Sequence, residues 1–231
     1  MDINKIYNEN CLDTMARMTD KFVDLTLTDP PYGINLEYDT YEDTEENWYN
    51  LMDKVIPEIK RVSKMVIMPV CQIARMGWIY EKFPPDWLIC WYKGSSGQRS
   101  YIGFSDWEPH LVYGKTYTTL KMHDYFQTVS SPKMGSFYTS NVGKDGFAEN
   151  KKGHPCPKPE EWAEWIIKRA SKKGHLIYDP FMGSGTVGKV AFENDRNYIG
   201  SEISKEYCKI IEKRIPKNSN KIENINSLFE Y

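Results

Sequence analysis

The segment DPPY, residues 29–32, combines a carboxylate, two prolines and an aromatic ring directly after an apolar run. That run, residues 22–28, predicts a β-strand, and the prolines must end its ladder because they lack N–H groups and fix φ. In the resulting stiff corner Asp29 and the Pro30 carbonyl are hydrogen-bond acceptors, and Tyr32 offers an aromatic face. Ligands bind at the carboxyl ends of strands in open α/β sheets, which makes the corner a candidate site. A surface turn after an edge strand explains the same residues equally well.

A second candidate site is the glycine-rich turn DPFMGSGT, residues 179–186, between a predicted strand and a predicted helix. Gly183 and Gly185 allow a ligand to approach the backbone where a Cβ would clash. Glu202 ends the next strand, a position from which carboxylates hold ribose hydroxyls in Rossmann-type sites. The turn is not G-x-G-x-x-G and no P-loop lysine follows it. A nucleoside without pyrophosphate is therefore favoured, and S-adenosyl-L-methionine fits; a turn made only for packing is the alternative.

Hydrophobic periodicity predicts the elements that position both segments. The predicted strands are residues 5–7, 22–28, 65–70, 87–92, 110–114, 175–180 and 197–203. The predicted helices are residues 11–18, 46–63, 159–171, 187–194 and 204–214. The strand–turn–helix–strand–helix order of the last third is a βαβ unit, so the chain is predicted to be α/β with an at least partly parallel sheet.

Length and composition favour one large α/β domain with an inserted or appended piece. The 231 residues, 40% of them hydrophobic, suffice for one sizeable core, and the 14% aromatic content argues against disorder. No apolar run approaches the roughly 20 residues that span a membrane, and the N-terminus lacks an apolar signal segment, so we expect a cytoplasmic protein without a membrane partner. The five cysteines lie far apart without a C-x-x-C pair, which predicts free thiols and no metal site.

Charge is distributed unevenly along the chain although the net charge is only −2. Residues 37–46 carry six acids and no base, whereas residues 115–158 carry seven lysines against three acids. Between Lys115 and Gly153 the periodicity fails and aromatic residues interrupt a polar, basic stretch, which predicts a loop-rich insert. Solvated loops are sufficient to explain either charge run.

DPPY at a strand end and a ribose-type βαβ unit in the same chain are hard to attribute to coincidence. Together they resemble the DNA amino-methyltransferases, which methylate the exocyclic nitrogen of adenine or cytosine. DPPY before F-x-G-x-G resembles the β group of that family, and HPCPKP, residues 154–159, is similar to its H-P-x-x-K-P. The resemblance covers about residues 5–215. It implies a Rossmann-like S-adenosylmethionine-dependent fold with a mostly parallel central sheet, helices on both faces and a circularly permuted motif order.

Two positions depart from the family pattern. Asn10 stands where an acidic residue is usual, although an amide can still bind adenine by hydrogen bonds. Ser63-Lys64-Met65 replaces the usual glycine pair before the strand at 65–70, so we expect a tighter or displaced turn there.

The resemblance implies a role for each residue of the corner. Asp29 and the Pro30 carbonyl would each accept one hydrogen of the target amine, which concentrates the nitrogen lone pair on the methyl donor. Tyr32 would stack on a base flipped out of the duplex, and Pro31 would stiffen the corner. The implied cofactor-binding residues are Asn10, Cys11, Asp29, Lys158, Asp179, Phe181, Gly183, Ser184, Gly185, Thr186 and Glu202. No metal takes part.

The expected activity is site-specific transfer of methyl from S-adenosyl-L-methionine to N6 of adenine in duplex DNA. Asp at position 29 favours adenine, because the cytosine-N4 enzymes more often carry Ser there. Cytosine N4, an RNA or protein amide acceptor, and a catalytically silent DNA-binding subunit remain alternatives. We expect residues 1–114 to form the catalytic half, 115–153 the target-recognition insert and 154–231 the cofactor-binding half. The near-neutral net charge suggests modest non-specific affinity for DNA, which either a homodimer or a short set of specific contacts would compensate.

Overall fold

The structure of the chain is a computed structural model that describes residues 1–70, 73–92, 99–100, 103–104, 107–115, 125–127 and 157–215. The strands are β1 (Lys5–Tyr7), β2 (Val23–Leu27), β3 (Ser63–Pro69), β4 (Trp87–Tyr92), β5 (Arg99–Ser100), β6 (Gly103–Phe104), β7 (Trp107–Gly114), β8 (Tyr125–Gln127), β9 (Leu176–Asp179) and β10 (Asn197–Ser201). The helices are α1 (Cys11–Ala16), α2 (Glu45–Val62), α3 (Ile73–Lys82), α4 (Glu160–Ala170), α5 (Thr186–Glu193) and α6 (Lys205–Arg214).

Eight of the described strands form one sheet in the order β1-β10-β9-β2-β3-β7-β4-β8, and β5 pairs with β6 separately. Within the large sheet β7 runs antiparallel to both of its neighbours, β3 and β4. The other pairs are parallel. The carboxyl ends of β10, β9 and β2 therefore meet at one edge, and β7 begins at that same edge.

Helices cover both faces of the sheet, as the alternation of strand residues requires. One core cluster packs α4, α5 and α6 against side chains that include Leu25, Ile67 and Ile177. The other packs α1, α2 and α3 against neighbouring positions such as Val66 and Tyr178. A mostly parallel sheet between two helical layers is the fold that the resemblance implied.

The predicted elements are present with small shifts at their ends, and α3 is an element that the periodicity did not identify. A tighter or displaced turn was expected before β3, and the structure has no separate turn there, because α2 ends at Val62 and β3 starts at Ser63. The strand β8 lies inside the predicted insert and extends the main sheet; most of that insert lies outside the described residues. None of the described helices is long and apolar enough to cross a membrane.

Candidate active site

The two segments singled out from the sequence meet at the carboxyl edge of the sheet. β2 and β9 are adjacent and parallel, with Thr26 opposite Tyr178. One residue beyond β2, the Thr28 hydroxyl donates a 2.7 Å hydrogen bond to Oδ1 of Asp179. This buried bond ties the DPPY corner directly to the start of the glycine-rich turn.

The glycine-rich turn is held by two acidic side chains. Oδ1 of Asp179 accepts the Phe181 N–H at 3.0 Å, and the two oxygens of Glu202 accept the N–H groups of Gly183 and Ser204, each at 2.8 Å. The backbone at Gly185 has φ +84°, and a Cβ there would lie 2.9 Å from Cγ2 of Ile211. Glycine is therefore required at position 185 both by the left-handed conformation and by the close approach of α6.

A cavity opens above this edge between the glycine-rich turn and the loop that follows DPPY. The predicted cofactor-binding residues that line it are Asn10, Cys11, Asp29, Lys158, Asp179, Phe181, Gly183, Ser184, Thr186 and Glu202. Gly185 does not line the cavity and instead forms the N-cap of α5. Of the remaining DPPY residues, Pro31 lines the cavity, whereas Pro30 and Tyr32 do not.

Several lining residues also fix local structure. The Asn10 side chain caps α1 by accepting the Leu12 N–H at 2.9 Å. Burial raises the pKa of the Cys11 thiol to about 12, so this small residue is neutral. The Thr186 hydroxyl donates to the Lys158 carbonyl at 3.2 Å, which joins the first turn of α5 to the segment that precedes α4.

The acidic segment 37–46 forms one wall of the cavity instead of a solvated loop. The buried Asp43 carboxylate accepts the N–H groups of Gly33, Ile34 and Leu36 at 2.7, 3.1 and 3.2 Å. Further along the chain the Ser204 hydroxyl donates to Asp39 at 2.6 Å. We refer to residues 33–44 as the acidic loop.

The acidic loop contributes a cavity residue that sequence reasoning missed. Tyr41 lines the cavity, and its hydroxyl is buried without a hydrogen-bond partner in the part of the chain that the structure describes. A buried hydroxyl normally has a partner, so this one fits a cavity that takes a ligand with polar groups. The tyrosine pattern of the segment, YDTYED, was the only signal in the sequence.

Three carboxyl groups at this edge titrate abnormally. Burial raises the pKa of Asp179 to about 7 and raises the pKa of both Glu202 and Asp29 above their ordinary values. The Lys158 ammonium opposes the rise at Asp29. A group of buried acids suits a cationic ligand, and S-adenosyl-L-methionine carries a sulfonium and an ammonium group.

Beside the cavity, four polar side chains form a cluster that we call the acceptor cluster: Asp29, Tyr32, Glu108 and Lys158. The Tyr32 hydroxyl lies 2.7 Å from Oδ1 of Asp29 and 3.0 Å from Oε1 of Glu108. The Lys158 ammonium lies 3.2 Å from Asp29 and 3.0 Å from Glu108, and it donates to the Tyr32 hydroxyl at 2.8 Å. Lys158 thus lines the cavity while its charged end lies in this cluster.

Residues of α2 and α3 contact the turn after DPPY and hold it in place. Gly33 has φ +67°, and a Cβ there would lie 2.8 Å from Cβ of Trp48. The buried Arg75 guanidinium donates to the Gly33 carbonyl at 2.8 Å and to Glu45 at 2.8 Å. The corner that holds Asp29 is therefore supported by packing and by hydrogen bonds, as a rigid site requires.

A family model described as DNA methylase, of the N6/N4 methyltransferase type, matches residues 23–213. The chain belongs to this DNA methylase family. The match includes the DPPY corner, the glycine-rich turn and Glu202, which are the parts that the structure brings to one edge. The predicted family, methyltransferase fold and S-adenosyl-L-methionine cofactor are confirmed, and solved structures with this fold include complexes with that cofactor.

Similar proteins agree with the family match along almost the whole chain. The Type II methyltransferase M1.MboII of Moraxella bovis is 25% identical, with 90% of this chain and 94% of the relative covered. The DNA adenine methyltransferase YhdJ of Escherichia coli (strain K12) is 28% identical, with 89% and 80% covered. The solved PvuII DNA methyltransferase, titled cytosine-N4-specific, has the same fold with a TM-score of 0.67, 18% identity, and coverage of 97% of this chain and 90% of that chain.

Proposed function

We propose that this DNA methylase transfers a methyl group from S-adenosyl-L-methionine to N6 of adenine at a specific site in duplex DNA. The observation that supports this proposal best is the position of Asp29. It follows β2 at the wall of the cofactor cavity, where an acceptor for an amine hydrogen is needed next to a methyl donor. Asp at this position and the adenine-specific relative both favour adenine over cytosine.

The chemistry requires little from the protein beyond positioning. The exocyclic amine of adenine is a poor nucleophile because its lone pair is delocalised into the ring. Asp29 and the Pro30 carbonyl each accept one amine hydrogen, so the nitrogen moves toward tetrahedral geometry and its lone pair becomes available. The nitrogen becomes acidic once it is alkylated, and its proton then leaves without a strong base. Most of the rate enhancement comes from orientation and fixed dipoles.

The proposed cofactor-binding residues suit different parts of S-adenosyl-L-methionine. When bound, S-adenosyl-L-methionine supplies an electrophilic methyl group on a positively charged sulfur. Glu202 directly follows β10, where it can hold ribose hydroxyls, and Asp179 suits the cationic amino acid end. Phe181 offers a ring to the sulfonium, and Thr186 in the first turn of α5 suits the carboxylate.

The predicted target-recognition insert is proposed to bind the DNA. Residues 115–153, basic and rich in aromatic side chains, are proposed to contact phosphates and bases, and the target base is flipped toward Tyr32. A near-neutral chain gains little from non-specific phosphate attraction, which is the reason for proposing a homodimer.

The test is transfer of labelled methyl from S-adenosyl-L-methionine to unmethylated duplex DNA, followed by nucleoside analysis. N6-methyladenine is the expected product. N4-methylcytosine would retain the mechanism and overturn the assignment of the base. Binding of the cofactor without transfer to DNA would contradict the proposal and favour an RNA or protein amide acceptor, or a silent subunit.

A further inference from the structure

Glu108 is a buried carboxylate that the proposed mechanism does not use. It lies near the start of β7, opposite Trp91 of β4, and only 4% of its side chain is exposed. A carboxylate in such a position is costly unless it is paired and hydrogen-bonded. Because burying a carboxylate is costly, we expect Glu108 to have a role beyond packing.

Two side chains, Lys158 and Tyr32, contact both Glu108 and Asp29. The Lys158 ammonium lies 3.0 Å from Oε1 of Glu108 and 3.2 Å from Oδ1 of Asp29. The Tyr32 hydroxyl lies 3.0 Å and 2.7 Å from the same two oxygens. A phenol has one proton, so Tyr32 donates to one of the two carboxylates at a time. Two donor groups are thus shared between two acidic side chains.

Packed aromatic rings and a buried hydrogen bond surround Glu108 and Lys158 and hold them in place. The Lys158 ammonium lies 5.3 Å from the centroid of the buried Trp91 ring and 5.2 Å from that of Tyr32. Behind them, Nε1 of Trp162 donates to Nε2 of the fully buried His110 at 2.6 Å. Nδ1 of His110 lies 3.2 Å from the Glu108 carbonyl, so the backbone that carries the Glu108 carboxylate is held in place.

In the arrangement that the structure describes, Oδ1 of Asp29 is contacted by two protein donors. A target amine that binds at Oδ1 of Asp29 competes with these two donors for that oxygen. We infer that Glu108 is a positioning residue, which retains Lys158 and Tyr32 when Asp29 accepts the hydrogen of the incoming amine. Glu108 acts on the reaction through these two side chains and does not need to contact the base.

The physical reason is the cost of weakening the carboxylate pairing of the buried Lys158 ammonium, to which Glu108 contributes at 3.0 Å. With Glu108 present, Lys158 stays paired after its contact with Asp29 is given up. With a neutral side chain at position 108, Lys158 pairs more tightly with Asp29, and the amine has to break a stronger ion pair. The rate of methyl transfer therefore falls while the cofactor cavity, which Glu108 does not line, is unchanged.

The inference rests on the proposed function, and the experiment separates the two. Methyl transfer to duplex DNA is measured in single turnover for the unaltered protein, for Glu108→Gln and for Asp24→Asn. Asp24 is the control because it is a carboxylate, 20% exposed, that is likewise paired with a lysine, Lys64 at 2.7 Å, but it lies at the opposite end of β2. No transfer by the unaltered protein contradicts the proposed function, whereas transfer by it makes the variants informative about Glu108.

We expect Glu108→Gln to lower the single-turnover rate constant by at least about tenfold, since misplacement near the reacting atoms is costly. Affinity for S-adenosyl-L-methionine, measured by calorimetry, stays within about twofold of the unaltered protein because the cofactor cavity is intact. Asp24→Asn retains the rate. A rate for Glu108→Gln equal to that of the unaltered protein would overturn the inference.

Two further measurements distinguish positioning from a structural role. The Glu108 charge raises the pKa of Asp29, so its removal moves the acidic limb of the pH–rate profile to lower pH. The position of this limb depends on the pKa of Asp29. Besides Glu108, the groups that affect this pKa are Lys158, Tyr32 and Asp179. In a Lys158→Met background, Glu108→Gln causes little further loss, because the group through which it acts is gone.

Other outcomes count against the inference. An equal loss in both backgrounds means that Glu108 does not act through Lys158, and a parallel loss of cofactor affinity and melting temperature means that its role is structural. If Glu108→Gln does not fold, Glu108→Asp serves instead, since it keeps the charge and shortens the side chain. That variant is expected to lose rate with an unchanged acidic limb, and a full rate would contradict the proposed geometry.

Discussion

Opposing effects act on the pKa of the Asp29 carboxylate. Burial raises its pKa, the Lys158 ammonium 3.2 Å away lowers it, and Glu108 raises it again. An acid in this balance can exchange protein donors for an amine hydrogen without a large change in free energy. Buried acids with a raised pKa and a specific charge partner are typical of functional sites.

Asp29→Ala should abolish methyl transfer, with a loss of at least about 100-fold in the single-turnover rate constant, because an acceptor of the target amine is removed. Binding of S-adenosyl-L-methionine is expected to remain largely intact, as most of the cavity wall is unchanged. The measurement is rapid-quench transfer together with calorimetry. A variant that retains most of its activity would show that the amine is oriented by other groups.

Tyr41→Phe tests the buried hydroxyl at the cavity wall. Because that hydroxyl has no partner among the described residues, its expected role is to bind a polar group of the methyl donor. A lost hydrogen bond of about 1 kcal/mol corresponds to roughly fivefold weaker cofactor binding, with kcat nearly unchanged. Calorimetric titration measures the effect, and unchanged affinity together with higher stability would show that the hydroxyl is merely buried.

At the scale of the structural elements, one buried residue, Asp43, organises the acidic loop. Asp43 accepts three backbone N–H groups between Gly33 and Leu36, so it organises the chain directly after the DPPY corner. Thr44 then caps α2 by accepting the Asn47 N–H. The loop is therefore a folded part of the site and contributes Tyr38, Thr40 and Tyr41 to the cavity.

Asp43→Ala should lower the free energy of unfolding by at least about 2 kcal/mol, because buried backbone donors lose their acceptor. Cofactor affinity is expected to fall with it, since the same loop forms a wall of the cavity. Glu42→Ala is the matched control, as Glu42 is a neighbouring acid whose side chain is exposed. Denaturant unfolding and calorimetry measure both effects, and equal results for the two variants would contradict this role.

At the scale of the whole molecule, the buried acids at the sheet edge make the free energy of unfolding depend on pH. The pKa of Asp179 is raised from about 3.9 in an unfolded chain to about 7 in the protein, chiefly by burial. Between these values the folded protein binds more protons than the unfolded chain does. This contribution therefore stabilises the fold at low pH and is lost as pH rises toward about 7.

Asp179→Asn should consequently raise the melting temperature more at pH 8 than at pH 5, since the introduced amide carries no charge to bury. Its oxygen can still accept from the Thr28 hydroxyl and the Phe181 N–H. Burial raises the pKa of Asp24, but bonds from Lys64 and the Leu176 N–H bring it below the ordinary value. Asp24→Asn therefore gives a similar change at both pH values, and the same behaviour for Asp179→Asn would contradict the linkage.

Most elements of the fold follow from the sequence because their signals are local. The apolar run before DPPY, the paired prolines and the glycines of residues 183–185 define strand ends and turns without reference to distant residues. The helix α3 was missed because helix propensity is a weak signal, and its segment carries a central glycine, Gly77, and bulky aromatic residues. A solvated loop was the favoured interpretation of the charge run at 37–46 and is wrong, because charge alone does not indicate that Asp43 is buried among backbone donors.

The sequence by itself determined the chemistry available at positions 29–32 and 179–186, since the types and spacing of those residues specify it. Only the tertiary structure decided which distant groups join them. Strand order places β7 two strands from β2, which brings Glu108 to Tyr32 and Lys158 across 76 and 50 residues of chain. The same order lets Thr28 reach Asp179 across 151 residues. Local periodicity contains no information on strand order, because long-range packing sets it.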